Sequence, residues 1–315
     1  MTKYIYKASD ANIAAADTRS SCRSGINITD EELKELNDLL TPRIQKGQSI
    51  HHIMVSEPGV FTISERQAYR LVNNGLIDAK PIDLPRAVRL KPRKKKATEK
   101  KVDRKCRKGR TYEDYLNYMT EHPDEPVLQG DTVEGKKGEK CILTLTWVQW
   151  SFQVGFLREH NNSTSVTLIV NQLYESLGFE LFHKVIPSVW LLDNGSEFSD
   201  PAEIEKYGIH VFYCDPSAPY QKGCCEVTHE YVRRILPKGT SFQDLDQDYI
   251  DFMYSHINST CRKKLNDHSP FDSFSSVLGS GVLEKYFNIT RIDPQSVHLK
   301  PSLKAIWDDQ RKENN

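Results

Sequence analysis

At 315 residues, with 38% hydrophobic and 27% charged side chains, the chain is long enough for one large or two ordinary domains and slightly polar for a single compact globule. No apolar stretch approaches the ~20 residues that cross a bilayer, and the N-terminus MTKYIYKASDANIAAADTR lacks the apolar run of a secretory signal, so a cytoplasmic protein with no membrane partner is expected. The 43 basic and 43 acidic residues balance overall, but 14 Lys or Arg fall between Arg86 and Arg110 against Glu99 and Asp103 alone, a layout that implies one segment meets a polyanion.

In chain order, residues 1–25 show no core pattern and are expected to be poorly ordered. TDEELKELNDLL then opens on a capping box, Thr29 with Glu32, and repeats Leu33, Leu36, Leu39 and Leu40 at helical spacing. Pro42 is expected to interrupt this helix. Ser49 caps a short helix carrying Ile50, Ile53 and Met54, and Pro58 and Gly59 form a loop. Ser64 caps the next helix, Gln67 completes its box, Ala68, Leu71 and Val72 form its inner face, and Gly75 ends it. With Glu65, Arg66, Gln67 and Arg70 outside, this is a helix-turn-helix pattern, and 26–80 is read as a DNA-binding domain with Arg66 and Arg70 on DNA. An ordinary three-helix bundle shows the same pattern more often. The basic linker over 81–110, including Arg93, Lys94, Lys95 and Lys96, tips the reading toward DNA: it cannot bury a core, but it can neutralise phosphates.

From residue 111 the pattern changes. TYEDYLNYM reads as a helix, and PVLQGDTVEG, KCILTLTWVQW and SFQVGFLRE read as three strands. Helix SVTLIVNQLYESLGFELF, strand VWLLDNG, short helix PAEIEKYG, strand IHVFYCD and helix QKGCCEVTHEYVRRIL follow. Three consecutive strands and then alternation of helix and strand predict an α/β fold, a mixed sheet flanked by helices, over 111–275. Asp131 lies in the first strand, Asp193 ends the fourth, and Glu226 lies in the helix after the last. If the first and fourth strands are neighbours, the three acids converge on one edge. Each like-charged pair then costs roughly 3 kcal/mol at a few ångströms, so such a cluster calls for cations. Hard oxygen ligands select Mg²⁺ or Mn²⁺, and two such ions suit phosphodiester chemistry. Taken singly, each acid reads as a solvated or turn-capping carboxylate.

LLDNGSEF, YCDPSAPYQKGCCEVTHEYVRRILPKGTSF and HINSTCRKKLNDHSPFDSF, together with LPRAVRLKPRKKK after a helix-turn-helix, resemble the transposases of the insertion sequence 30 family over roughly residues 26–275. The resemblance implies an RNase H-like integrase catalytic core, preceded by the all-α domain, with a DDE triad and divalent metal. Carried over, Asp131 of GDTVEG, Asp193 of DNGSEF and Glu226 of KGCCEV are the catalytic and metal-binding acids, with Glu230, one turn on, in reserve. It also implies bacterial, nucleoid-associated DNA transposition: metal-dependent cleavage at element ends, transfer of the 3′-hydroxyl into target DNA, and a homo-oligomer on DNA. Cys225 stands where the family often has Asn, and the chain starts near the end of the family's additional N-terminal region, so 1–25 reads as the remnant of that region and 276–315 as a C-terminal tail. The alternative is a catalytically inactive, shortened DNA-binding relative that regulates or pairs with an intact transposase; an RNase H-like host nuclease is a weaker third reading. Lys222 is read as a phosphate contact. His51, His52 and His229 read as ordinary core or surface histidines and Cys224 and Cys225 as packing residues, while Arg233, Arg234, Arg262, Lys263 and Lys264 are divided evenly between DNA contacts and solvated charge.

Overall fold

The structure, a computed structural model, describes residues 7–22, 28–85, 105–216 and 218–313. Helix α1 (Ala8–Cys22) falls in the segment expected to lack order. Five of its fifteen residues are alanine, the strongest helix former. Helix α2 (Asp30–Gln45) starts at the expected box: the Thr29 hydroxyl accepts from the Glu32 N–H, and the Glu32 carboxylate accepts from the Thr29 N–H. Pro42 does not interrupt α2. Leu40 and Ile44 are fully buried, and Arg43, just past the proline, is bonded to Gln48, Glu57 and Ser56, so packing offsets the lost backbone bond. Helices α3 (Ile50–Ser56) and α4 (Glu65–Asn73) begin at caps Ser49 and Ser64. Gly75 takes the left-handed conformation just beyond α4, where a side chain would be strained. Leu36, Leu40, Ile44, Ile53, Leu71 and Val72 belong to one apolar cluster that closes these three helices on each other.

Helix α5 (Tyr112–Glu121) leads into strands β1 (Val127–Glu134), β2 (Cys141–Trp147) and β3 (Phe152–Arg158), an antiparallel meander. Helix α6 (Ser163–Val185) crosses over to β4 (Val189–Leu192), which lies parallel to β1. Helix α7 (Ala202–Glu205) leads to β5 (His210–Tyr213), parallel to β4. The order is β3-β2-β1-β4-β5, a mixed sheet in which β1–β3 run antiparallel and β4 and β5 lie parallel to β1. Strand β4 is apolar throughout because both faces are covered. Val189 and Leu191 pack with Tyr115 and Tyr118 of α5, while Trp190 and Leu192 join the larger core with Val166, Val170 and Leu173 of α6.

Helices α8 (Gly223–Ile235), α9 (Gln247–Asn258), α10 (Pro270–Leu278), α11 (Ser280–Phe287) and α12 (Leu303–Glu313) complete the chain. The segment 276–315, expected as a tail, is built into the molecule. Leu283, Phe287, Ile289, Val297, Leu299 and Leu303 are buried in the main core. Their irregular spacing among polar residues hid them from a periodicity reading. The backbone around Pro294 also carries the α2–α4 unit. The Gln48 amide donates to the carbonyls of Pro294 and Val297, at 3.1 and 2.7 Å, and the Leu299 N–H donates to the Lys46 carbonyl at 2.8 Å.

Candidate active site

In the parallel pairing of β1 with β4, Gly130 stands opposite Leu192. Asp131 follows Gly130 within β1 and Asp193 follows Leu192 just past the end of β4, so backbone register brings them to neighbouring positions at the C-terminal end of β4. Gly130 leaves room for the Leu192 side chain: a Cβ there would lie 2.5 Å from Leu192 Cδ2. Each carboxylate is oriented by the following backbone, Asp131 accepting from the Thr132 N–H and Asp193 from the Asn194 N–H, both at 2.7 Å. The Asn194 amide donates to the Cys214 carbonyl beyond β5, and Arg107 donates to the Asn194 carbonyl at 2.9 Å, which pins the loop after β4.

Lys222 corrects the expectation of a phosphate contact. Its side chain is buried, its Nζ lies 3.1 Å from Asp131 Oδ2, and it donates to the Gly130 carbonyl at 3.3 Å. Burial alone would pull its pKa down, but the negative charges of Asp131 and Asp193 outweigh burial and hold it above the usual lysine value. The ammonium is drawn inward by two carboxylates instead of being left for DNA.

Helix α8 turns Cys225, Thr228, Val232 and Ile235 inward and leaves Glu226 and Glu230 exposed. Gln129 of β1 anchors the start of the helix by accepting from the Cys225 N–H at 3.0 Å. The three predicted acids do not draw together into one compact ligand set. Among the described residues, that set is Asp131, Cys225 and His229, whose ligand atoms lie within 4.8 Å of one another. His229 Nε2 lies 3.4 Å from Cys225 Sγ and 2.8 Å from Thr144 Oγ1, and its Nδ1 is 3.8 Å from Asp131 Oδ2. Burial, only partly opposed by Asp131, lowers the His229 pKa to about 4, so the imidazole is neutral at pH 7. Burial, with the Asp131 charge, pushes the Cys225 thiol up to about 12. From sequence, Cys225 reads as a packing residue and His229 as a core or surface histidine that could reach the pocket edge. The available signal was their spacing of four, which places them one turn apart on the inward face of α8.

Arg66 and Arg70 are exposed on α4, next to half-exposed Tyr69. Glu65, expected to face out freely, is instead tied to His51 at 2.8 Å and Lys263 at 2.9 Å. Arg93, Lys94, Lys95 and Lys96 lie outside the described residues. Arg262 is buried, donates to the Ser151 carbonyl and covers the Tyr231 ring, so it is a structural residue and not a surface grip. Arg233 donates to the Glu134 carbonyl. His52 is buried in the core, and none of the described helices is long and apolar enough to cross a membrane.

No protein-family model matches the chain. It is similar to the probable transposase for insertion-like sequence element IS1161 of Streptococcus salivarius, 26% identical over 75% of this chain and 67% of that one. It is 38% identical to the transposase for IS1086 of Cupriavidus metallidurans over 28% of this chain and 26% of that one. It is 29% identical to the transposase InsI for IS30A of Escherichia coli over 45% of this chain and 36% of that one. The matched stretches thus span from about a quarter to two thirds of these relatives' own length. A crystal structure of the catalytic core domain of BIV integrase aligns with half of this chain and 97% of its own, at a TM-score of 0.36 and 18% identity. By sequence, the chain is similar to insertion-sequence transposases, the IS30 type among them.

Proposed function

We propose that the protein is a DDE-type DNA transposase, a polynucleotidyl transferase that cuts at the ends of its element and joins the freed 3′-hydroxyl to target DNA. The observation that carries this reading is the register that sets Asp131 beside Asp193 at the C-terminal end of β4, with α8 and its Glu226 following directly after buried Lys222. The donor set fits a hard cation: two neighbouring carboxylates, already drawing a lysine ammonium against them. Asp131, Asp193 and Glu226 would hold the divalent ions, Mg²⁺ or Mn²⁺, which when bound supply activation of the attacking oxygen and stabilisation of the leaving one.

The protein's own groups have separate tasks. Asp131 and Asp193 fix the site through their strands, and Lys222 offsets part of their charge before DNA arrives. Glu226, exposed on α8, is free to approach from the helix side. The α2–α4 unit, proposed as the DNA-binding domain, offers Arg66, Tyr69 and Arg70, and the 86–104 run supplies charge for phosphates. A homo-oligomer would bring two element ends together.

The test is a cleavage assay of the full chain with DNA flanking its gene, in Mg²⁺ and in EDTA. Metal-dependent nicks at the element ends are expected, reduced about 10³-fold in Asp193→Asn, since metal stabilisation is worth several kcal/mol. Salt-sensitive binding without any metal-dependent nicking would favour the non-catalytic alternative instead.

A further inference from the structure

We propose that Asp131, Cys225 and His229 form a second metal site, selective for a borderline-soft divalent ion such as Zn²⁺, and that its occupation withdraws Asp131 from catalysis. The inhibitory part rests on the function proposed above; the binding part does not.

The ligand types come first. A thiol and an imidazole select zinc-like ions over Mg²⁺, whereas the acids alone select the reverse. At metal–ligand lengths of ~2.0–2.3 Å, tetrahedral ligand atoms sit ~3.3–3.8 Å apart. Cys225 Sγ lies 3.4 Å from His229 Nε2, within that range, so the imidazole would meet the ion through Nε2. The three ligand atoms all lie within 4.8 Å of one another, so the set closes around one ion with sub-ångström to ångström adjustments. Two ligands come from one helical turn and one from strand β1, so the site needs no change of fold. The thiol is fully buried, while the His229 and Asp131 side chains keep 17% and 23% of their surface exposed, which gives an ion a way in.

The supports are also placed. Thr144 Oγ1 donates to the Asp131 carbonyl, while its contact with His229 Nε2 is one the ion would displace, and the Gln153 amide faces Cys225 Sγ at 3.9 Å. The exchange balances simply: the ion takes the place of the thiol proton, which leaves to solvent, and of the Lys222 ammonium on Asp131, which swings away still protonated. No oxidant or reductant enters. An ion seated here holds Asp131 on the α8 side, away from a cation shared with Asp193.

The full chain, freed of metal, is titrated with Co²⁺, whose bond to a thiolate gives a near-ultraviolet charge-transfer band. One equivalent should develop the band, and Zn²⁺ should abolish it while excess Mg²⁺ does not. Cys225→Ser should lose the band and Cys224→Ser should keep it. His229→Gln gives a second route to the same loss if Cys225→Ser does not fold. In the cleavage assay, Zn²⁺ added in equimolar amount to protein should suppress Mg²⁺-dependent nicking at least tenfold in Cys224→Ser. The same zinc should suppress it less in Cys225→Ser, each compared with its own zinc-free rate. A band that survives in Cys225→Ser, or its absence in the unaltered chain, overturns the site. A normal band in a protein that never cuts DNA leaves the site standing and removes the proposed function. A normal band with nicking indifferent to zinc overturns the inhibitory role.

Discussion

The sheet region and the α2–α4 region are held by different kinds of bond. At the candidate site, the neighbouring placement of Asp131 and Asp193 is set by a parallel backbone ladder, with Gly130 leaving room for the Leu192 side chain next to them. The α2–α4 unit has its own apolar core, but it is tied to the backbone around Pro294 largely by polar side chains: Arg43, Gln48 and His52. Register is stiff and insensitive to solvent conditions. Side-chain bonds to carbonyls depend on protonation and are individually modest. The molecule therefore fixes its chemistry firmly and carries its proposed DNA-reading unit on adjustable ties.

The largest expected effect breaks the stiff half. Lys222→Met leaves Asp131 without its buried partner, and removing one member of a buried ion pair typically costs about 3–5 kcal/mol. In metal-free buffer, urea melts should show a loss of this size, and Mg²⁺ should recover more stability in the variant than in the parent. A loss under 1 kcal/mol would mean that Lys222 is not the counter-charge. Next is Gly130→Ala, whose new methyl meets Leu192 between β1 and β4. Overpacking of this kind costs about 1–3 kcal/mol. The comparison holds if this small change lowers both stability and metal-dependent nicking, while an equally small change at exposed Val60 of the α2–α4 unit lowers neither.

Much of this was legible beforehand. Capping boxes at Thr29 and Ser64 marked helix starts because the box is a local signal, made within four residues. The strand leading into Asp193 is legible because a short apolar run ending on Asn-Gly has few other meanings. What failed was non-local. Pro42 looks like a breaker until the partners of Arg43 are known, and these come from residues 48–57 and 294. Lys222 looks like a phosphate contact until two carboxylates, distant in sequence, are seen to draw it inward. Cys225 looks like packing and His229 like an ordinary core or surface histidine because their third partner, Asp131, is nearly a hundred residues away.

Protonation tests the softer half. His52 accepts from the Cys261 N–H at Nδ1 and donates from Nε2 to the Pro294 carbonyl at 3.0 Å, so both nitrogens are used by a neutral ring. Burial is the main reason its pKa falls to about 4, with Arg43 and His51 adding to the shift. Because the folded value lies below the ordinary 6.5, the unfolded chain binds the extra proton first. The contribution is therefore complete above pH 6.5 and drains away as pH falls toward 4, at up to about 1.4 kcal/mol per pH unit. His52→Gln keeps a hydrogen-bonding side chain that does not titrate. Between pH 6.5 and 5 its stability should fall less steeply than the parent's by nearly one proton, as measured by urea melts at a series of pH values. Equal slopes would show that His52 does not carry the acid sensitivity of this contact.

The smallest effect belongs to the ion pair between Lys263 and Glu65 at the start of α4. Lys263 is two-thirds exposed, and Glu65 keeps a second partner in His51. Exposed pairs are worth about 0–1 kcal/mol and are screened by salt. Lys263→Ala should shift the melting midpoint barely at low salt and not at all in 1 M NaCl. Its value is as a control on the whole contrast: if this lone surface lysine governs the seating of α4, the variant will alter DNA affinity well beyond the loss of one phosphate contact. If Gln48, His52 and Arg43 hold the unit, affinity will fall only by the share one basic residue contributes, and the salt slope will drop by about one at most.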